Sequence, residues 1–533
     1  MLVVPTSRII LLKNPIEIDY MNELTFSNLN AQYNYFYNLP KLECDNATYQ
    51  RKDEVVRFPT DPNMEGVTYD DLIEYNYCMY QNDKWSDKWF YAFVKSVTFD
   101  NPGMSYIELE TDIWQSWMFD ITFKPSFIER EHVNDDTVGL HTIPENLELG
   151  EYVTQEATPI SIFSDDPADY YIVLGVTKYP GTTAVPGDNT GGKIYAGVFS
   201  GLAYIVGEDF SGTTNIIRSY SDVGGADSIQ CIFVAPKYLC GTPDWHVVAG
   251  WSYNVKYGVL PEQEDEWGAT SLVTTKPTTL AGNYTPVNKK LLTWPYCYMN
   301  VDTNVGNCID YRYEDFSTNN INFNVMATLT PGTSYKISPN NYKGLVNNYL
   351  YSFTPTKLPI CNWQSDVYTN WITQNAVNVG LSVAGSGISL VASAVTGNPI
   401  GIASGVLGIA SSIGQIYEHS LIPPSVKGNL NSGDVSFASK VINPILYKMS
   451  IKPEYSAIID KYFSAYGYKV NTYKTPNING RSNWNYVKTI GCNIIGDIPQ
   501  NDLQKIKDIF NNGVTFWHNP STFLDYSQNN TIV

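Results

Sequence analysis

The sequence predicts a mainly β protein with some helix, an α+β fold, and three observations predict it. Tyr, Asn and Thr are abundant, and 30 prolines and 38 glycines are spread through the chain, a balance that favours strands and loops. Apolar residues come in short runs between turn residues, as in YYIVLGV (170–176), CIFVAP (231–236) and HVVAGW (246–251). Helical periodicity is confined to a few short segments. At 533 residues the chain has room for roughly two to four domains. We expect a β-rich domain over 1–150 and a second, with variable loops, over 151–365. A hydrophobic segment with an uncharged core follows over 366–439, and an α/β segment over 440–533 completes the first domain.

In the first domain, Ile9–Leu12 and Ile16–Ile18 read as short strands broken at Asn14-Pro15. Trp85–Phe99, the turn Asn101-Pro102-Gly103 and the alternating SYIELE form the strongest hairpin signal in the chain. Thr111 or Asp112 can cap a helix IWQSWMFD, in which Ile113, Trp114, Trp117 and Met118 share a face. The aromatic cluster is read as core packing rather than a sugar platform. Glu262, Glu264, Asp265 and Glu266 form an acidic knot, read as a solvated loop. Near the C-terminus PEYSAIIDKYFSAYG reads as a helix with Pro453 in its first turn, an apolar face of Ile458, Ile459, Tyr462 and Phe463, and Gly467 past its end. Asn501 with Gln504 makes a capping box for DLQKIKDIF, which stops at Asn512-Gly513. Between these helices YKVNTY and NWNYVKTIGC read as strands. Arg481, among uncharged neighbours, is expected to hold a local loop contact rather than a carboxylate across an interface.

The candidate functional element runs from Val367 to Tyr417 without one Asp, Glu, Lys or Arg. Its two arms meet at a turn of Gly397, Asn398 and Pro399, and each arm approaches the roughly 20 apolar residues that span a bilayer as a helix. The candidate membrane-inserting residues are Val377, Val379, Leu381, Val383, Ile388, Leu390, Val391 and Val395 in the first arm. Those of the second are Ile400, Ile402, Val406, Leu407, Ile409, Ile413 and Ile416. Each gains only about 0.3–0.6 kcal/mol on insertion, and the interleaved Ser and Asn offset much of that. Transfer to lipid is therefore nearly balanced, as suits a segment that is stored and then released. Small residues recur at Gly385, Ser389, Ser393 and Gly397, at Gly401 and Gly405, and at Gly408 and Ser412, which lets helix backbones approach closely. A buried Gly/Ala-rich hairpin in a soluble core fits the same pattern.

A formal net charge of −19 argues against phosphate binding and suits a channel through which DNA slides without sticking, although solubility alone explains it too. The eight cysteines form no CxxC pair and the five histidines are scattered, so no metal and no cofactor is expected. Dispersed thiols suit a protein made in a reducing cytoplasm. MLVVPTSRIILLKNP, interrupted by Pro5 and Lys13, does not read as a signal peptide. No nucleophile elbow, HExxH, Walker loop or calcium loop is present; Gly191–Lys193 lacks the spacing of a phosphate loop, and Gly380–Ala384 has no nearby histidine base. No catalytic residue is assigned and no enzyme is expected. His419, beside the uncharged stretch, is read as incidental rather than as a pH switch.

WSDKWFYAFV with DIWQSWMFDITFKPSFIEREHV, and the C-terminal YGYKVNTYKTPNINGRSNWNYVKTIGCNIIGDIPQNDLQKIKDIFNNGVTFWH, closely resemble the tail knob proteins of phi29-like short-tailed phages of Gram-positive bacteria. WPYCYMN (294–300) is similar to that family as well, whereas 180–290 differs. The resemblance implies tail-tube-like β-barrel domains, built from both chain ends, in a homo-hexameric tube at the distal tip of the virion tail. It implies as partners the other tail proteins, the host membrane, and genomic DNA passing through the lumen without sequence-specific binding. In that family a long loop plugs the channel and then forms a membrane conduit. A purely structural plug and a protein that binds or cleaves wall glycan are the alternatives.

Overall fold

Alternation sets the first sheet. Strand Met104–Thr111 buries Ser105, Ile107, Leu109 and Thr111 while Glu108 faces out, the period-two signature of a sheet with one face on a core. It pairs with Ser86–Asn101 through a tight turn in which Asn101 faces Met104, so the hairpin expected there forms. The computed structural model describes residues 7–50, 54–61, 66–82, 86–160, 167–251, 254–264, 267–303, 308–329, 335–346, 349–352, 360–362 and 444–533. These residues are mainly β with few helices.

The chain divides into two units, the first joining Met1–Gly150, Thr285–Leu291 and Pro453–Val533, the second joining Glu151–Tyr284 and Leu292–Lys452. In the first unit six strands close a barrel in the order Ser7–Leu12, Lys41–Gln50, Val55–Pro59, Met104–Thr111, Ser86–Asn101 and Tyr77–Asn82. Closure leaves no free edge. Strand Ser7–Leu12 is buried on both faces: Ile9 and Leu11 pack with Phe58, Phe90 and Leu109, whereas Ile10 and Leu12 pack with Phe36, Trp484 and Trp517. A five-stranded sheet completes the unit in the order Asn22–Leu24, Val514–Trp517, Trp484–Ile490, Ser126–Glu131 and Tyr468–Lys474, the first pair parallel.

The second unit contains a six-stranded sheet, Asp244–Val248, Val255–Val259, Ala203–Val206, Tyr170–Val176, Ile229–Pro236 and Ile360–Asn362 in that order. A four-stranded sheet runs Tyr152–Pro159, Ile445–Ile451, Cys297–Asp302, Cys308–Tyr311, and a three-stranded sheet Trp267–Thr275, Asn320–Ala327, Lys336–Pro339.

Several local expectations need correction. Residues 16–18 are not a strand, because the side chain of Asn76 bonds the N–H of Asn14 at 2.9 Å and its carbonyl at 2.7 Å, and Pro15 has no N–H to give a ladder. The short helix ends earlier than expected, at Ile113–Trp117; Asp112 is its cap, accepting from the Gln115 N–H at 3.0 Å. Helix Pro453–Tyr466 forms, but Ile458 is 64% exposed while Ile459 and Phe463 are buried. The last helix, Gln500–Asn512, begins one residue before Asn501, so the capping box is absent and Gln504 bonds Asp508 instead. HVVAGW contributes only its first residues to Asp244–Val248. Arg481 donates to the carbonyl of Val133 at 2.7 Å, a contact between distant parts of the chain rather than the local loop contact expected. Trp114, Phe90 and Tyr91 are core residues, as expected.

Candidate functional site

All the proposed membrane-inserting residues from Val377 to Ile416, the small-residue rows, the turn at Gly397–Pro399, and His419 lie outside the described residues. The structure does define the frame from which this stretch leaves and to which it returns, both within the second unit.

The chain departs through Ile360–Asn362, an edge strand held by three residue pairs to Ile229–Pro236: Cys231 with Asn362, Ile232 with Cys361, and Phe233 with Ile360. It returns as Ile445–Ile451, a central strand bonded on both sides, to Tyr152–Pro159 and to Cys297–Asp302. The return is fixed from the first described residue, since the carbonyl of Pro444 accepts the Ile160 N–H at 2.7 Å. Leu446 and Ile451 fill the core, and Ser450 Oγ accepts the Ala281 N–H at 3.0 Å. Lys448 lies opposite Glu156, with Nζ 2.7 Å from its carboxylate. That hydrogen bond holds the Glu156 carboxyl below its ordinary value. A pair this exposed on the Glu156 side adds under about 1 kcal/mol, so the register of the return strand rests on its double ladder and apolar contacts.

Several buried ionisable groups of the first unit tie its elements together. Glu145 receives Arg130 and Lys290, and its Oε1 also accepts the Lys469 N–H at 2.9 Å. Asp460 accepts the N–H groups of Val287 and Asn288 at 2.8 and 2.9 Å, and the Asn288 amide donates back to it at 2.8 Å. These contacts fasten Thr285–Leu291 as a strap on helix Pro453–Tyr466. His132 Nδ1 accepts the Tyr486 N–H at 2.7 Å, so its proton sits on Nε2, 3.1 Å from the Ser464 carbonyl. Burial holds its pKa down to about 3, and that of His518 down to about 4, so neither charges at neutral pH. No local sequence signal marks Glu145, Lys290 or Asp460; only their pairing across the chain does. Among the described residues no three His, Cys, Asp or Glu side chains are grouped to hold a metal, and no helix is long and apolar enough to cross a membrane.

The first unit holds a closed six-stranded barrel and a five-stranded sheet, and the second holds three further antiparallel sheets. Residues 5–122, which contain the barrel, match the family described as Caudoviral major tail protein N-terminus. Residues 261–531 match the family described as Bacillus phage phi29, Tail knob protein gp9, C-terminal domain. Full-length similarity agrees: the chain is 27% identical to the tail knob protein gp9 of Bacillus phage PZA and 26% identical to that of Bacillus phage phi29, in each case over 95% of both chains. It is 26% identical to the tail knob protein gp9 of Bacillus phage B103 over 97% of both. The solved structure of the bacteriophage C1 tail knob protein, gp12, shares the fold, with a TM-score of 0.68 at 14% identity, over 99% of this chain and all of that one. The match over 261–531 takes in just over half of the 533 residues, and the chain belongs to the phi29 tail knob family. It is a structural component of the phage tail, in the virion.

Proposed function

We propose that six copies of this chain form the distal conduit for DNA ejection, and that segment 366–439 plugs the channel before infection and then enters the host membrane as a pore. The observation that carries this reading is the absence of charge from Val367 to Tyr417 in a tail knob protein whose flanking strands are firmly tied. Near-balanced transfer lets the segment be stored in protein and later given to lipid, and the strands on either side retain it. The chain between those strands, 363–443, can reach roughly 130 Å out and back when fully extended, several bilayer thicknesses. Six segments acting together amplify a weak preference. If each gains about 1 kcal/mol, six give about 6, which moves an equilibrium from about 1:99 to 99:1. The excess of acid, −19 per chain, disfavours adhesion of passing phosphates.

Electron microscopy of the purified protein tests the architecture: sixfold rings with a closed centre are expected, and a persistent monomer would overturn it. Deleting 366–439 should leave the rings assembled and open their centres. Failure of that variant to assemble would instead support a hairpin packed in the core.

A further inference from the structure

Two carboxyl groups lie fully buried beside the short helix of the first unit, with no cation among the described residues to balance them. Glu23, on strand Asn22–Leu24, and Asp112, the cap of helix Ile113–Trp117, are both 0% exposed. Gln115 joins them: its N–H donates to Asp112 Oδ1 at 3.0 Å, and its Nε2 donates to Glu23 Oε2 at 3.1 Å and to the Leu24 carbonyl at 2.8 Å. Gln32 Nε2 donates in turn to Gln115 Oε1 at 3.0 Å. On the far side the Tyr77 hydroxyl, from a barrel strand, donates to Asp112 Oδ2 at 2.6 Å. The cluster therefore ties the barrel, the helix and the end strand of the five-stranded sheet.

The two acids are solvated unequally. Asp112 receives a short phenolic hydrogen bond and the N–H at the start of the helix, a setting that supports an anion. Glu23 receives one amide donor, and its Oε1 has no hydrogen-bonding partner among the described residues. A bare anionic oxygen at that depth costs more than a neutral carboxyl. The other titratable groups around the pair are Asp19, Tyr20, Tyr77, Tyr91 and Glu110, none of them cationic at neutral pH.

We infer that Glu23 keeps its proton in the folded protein while Asp112 carries the charge, so that this joint is a proton-linked latch that loosens when the pair is fully ionised. Burial raises both carboxyls, Asp112 to about 6, and the charge of Asp112 adds to the rise at Glu23. Both folded values exceed the ordinary carboxylate values, so the folded state binds more protons than the unfolded one. The pair's contribution is complete below about pH 4 and declines as pH rises through 6 and beyond. The Asp112 step alone predicts a roughly hundredfold rise in the unfolding equilibrium constant of the first unit across that window.

The test uses the full-length assembled protein. Infrared difference spectroscopy at pH 7 should show the C=O stretch of a buried protonated carboxyl, and Glu23→Gln should remove it. Thermal unfolding between pH 4 and pH 8 should fall less steeply with pH in Glu23→Gln than in the parent, with the variant equal or more stable at pH 8. Asp112→Asn, which keeps a good helix cap, should flatten the profile below pH 7 and leave the infrared band in place. Should Glu23→Gln fail to fold, the band in the parent and its retention in Asp112→Asn decide the matter. No protonated-carboxyl band at pH 7, or an unchanged pH profile in both variants, overturns the inference.

Discussion

Replacing Glu145 by Ala should be among the most damaging single changes outside the apolar core. The Glu145 side chain is 0% exposed, and it faces Lys290, 2% exposed, and Arg130, 11% exposed. Removing the carboxylate leaves two cations buried with one anion fewer. Arg130 keeps the Gly467 carbonyl at 2.7 Å as an acceptor, but Lys290 loses its anionic partner. Breaking a buried pair in this way costs about 3–5 kcal/mol. For a unit of more than 200 residues that corresponds to a fall of roughly 6–20 °C in its melting temperature.

The loss should depend on pH with a definite sign. Burial already lowers the Lys290 pKa, and without Glu145 it falls further. A lysine whose folded value is depressed makes the unfolded state the better proton binder, so the variant regains stability as pH rises toward 10. Differential scanning calorimetry of the full-length protein at pH 7 and pH 9.5 measures both effects. Glu145→Leu combined with Lys290→Met should recover more than half of the loss, because an apolar pair of similar volume avoids the stranded charge. A change under 2 °C in Glu145→Ala would refute the reasoning.

Three further outcomes are expected. Asp460→Ala strands the N–H groups of Val287 and Asn288 and should cost about 2–4 kcal/mol; hydrogen exchange should quicken at 287–290 before elsewhere in the unit. Gly467→Ala places a Cβ 2.1 Å from the Glu131 carbonyl oxygen at a φ of 63°, whereas Gly491→Ala at a φ of 68° meets nothing within 4 Å. Thermal melts should therefore show the first losing several times the roughly 1 kcal/mol lost by the second. Deleting 366–439 should leave the melting transition of the first unit unchanged, since both flanking strands belong to the second.

The elements that could be read from sequence are those whose signals are local. The hairpin at Asn101–Gly103 combines β-branched strands with a turn, and helix Pro453–Tyr466 has its proline at the start and Gly467, at φ 63°, just past its end. The last helix was placed correctly, but its capping box was not, because Asn501 and Gln504 fit that motif wherever the helix begins. Ile458 was assigned to an apolar face that stops at Ile459 and Phe463; one helical turn can present more apolar residues than its neighbours cover. Long-range partners left no local trace. The parallel pairing of Asn22–Leu24 with Val514–Trp517, the strap that meets Asp460, and the approach of Glu23 to Gln115 each join residues far apart in the chain. The uncharged stretch stands out by composition alone, and its described flanks, an edge strand and a central one, were not distinguishable from each other in the sequence.

Release of a dye from liposomes by the full-length protein, compared with the variant lacking 366–439, tests the membrane role most directly. The account predicts leakage with the intact protein once the segment is freed, for instance after mild warming or a pH shift, and none with the deletion under the same conditions. Equal leakage from both proteins, or an intact protein that never permeabilises any lipid mixture, would contradict it.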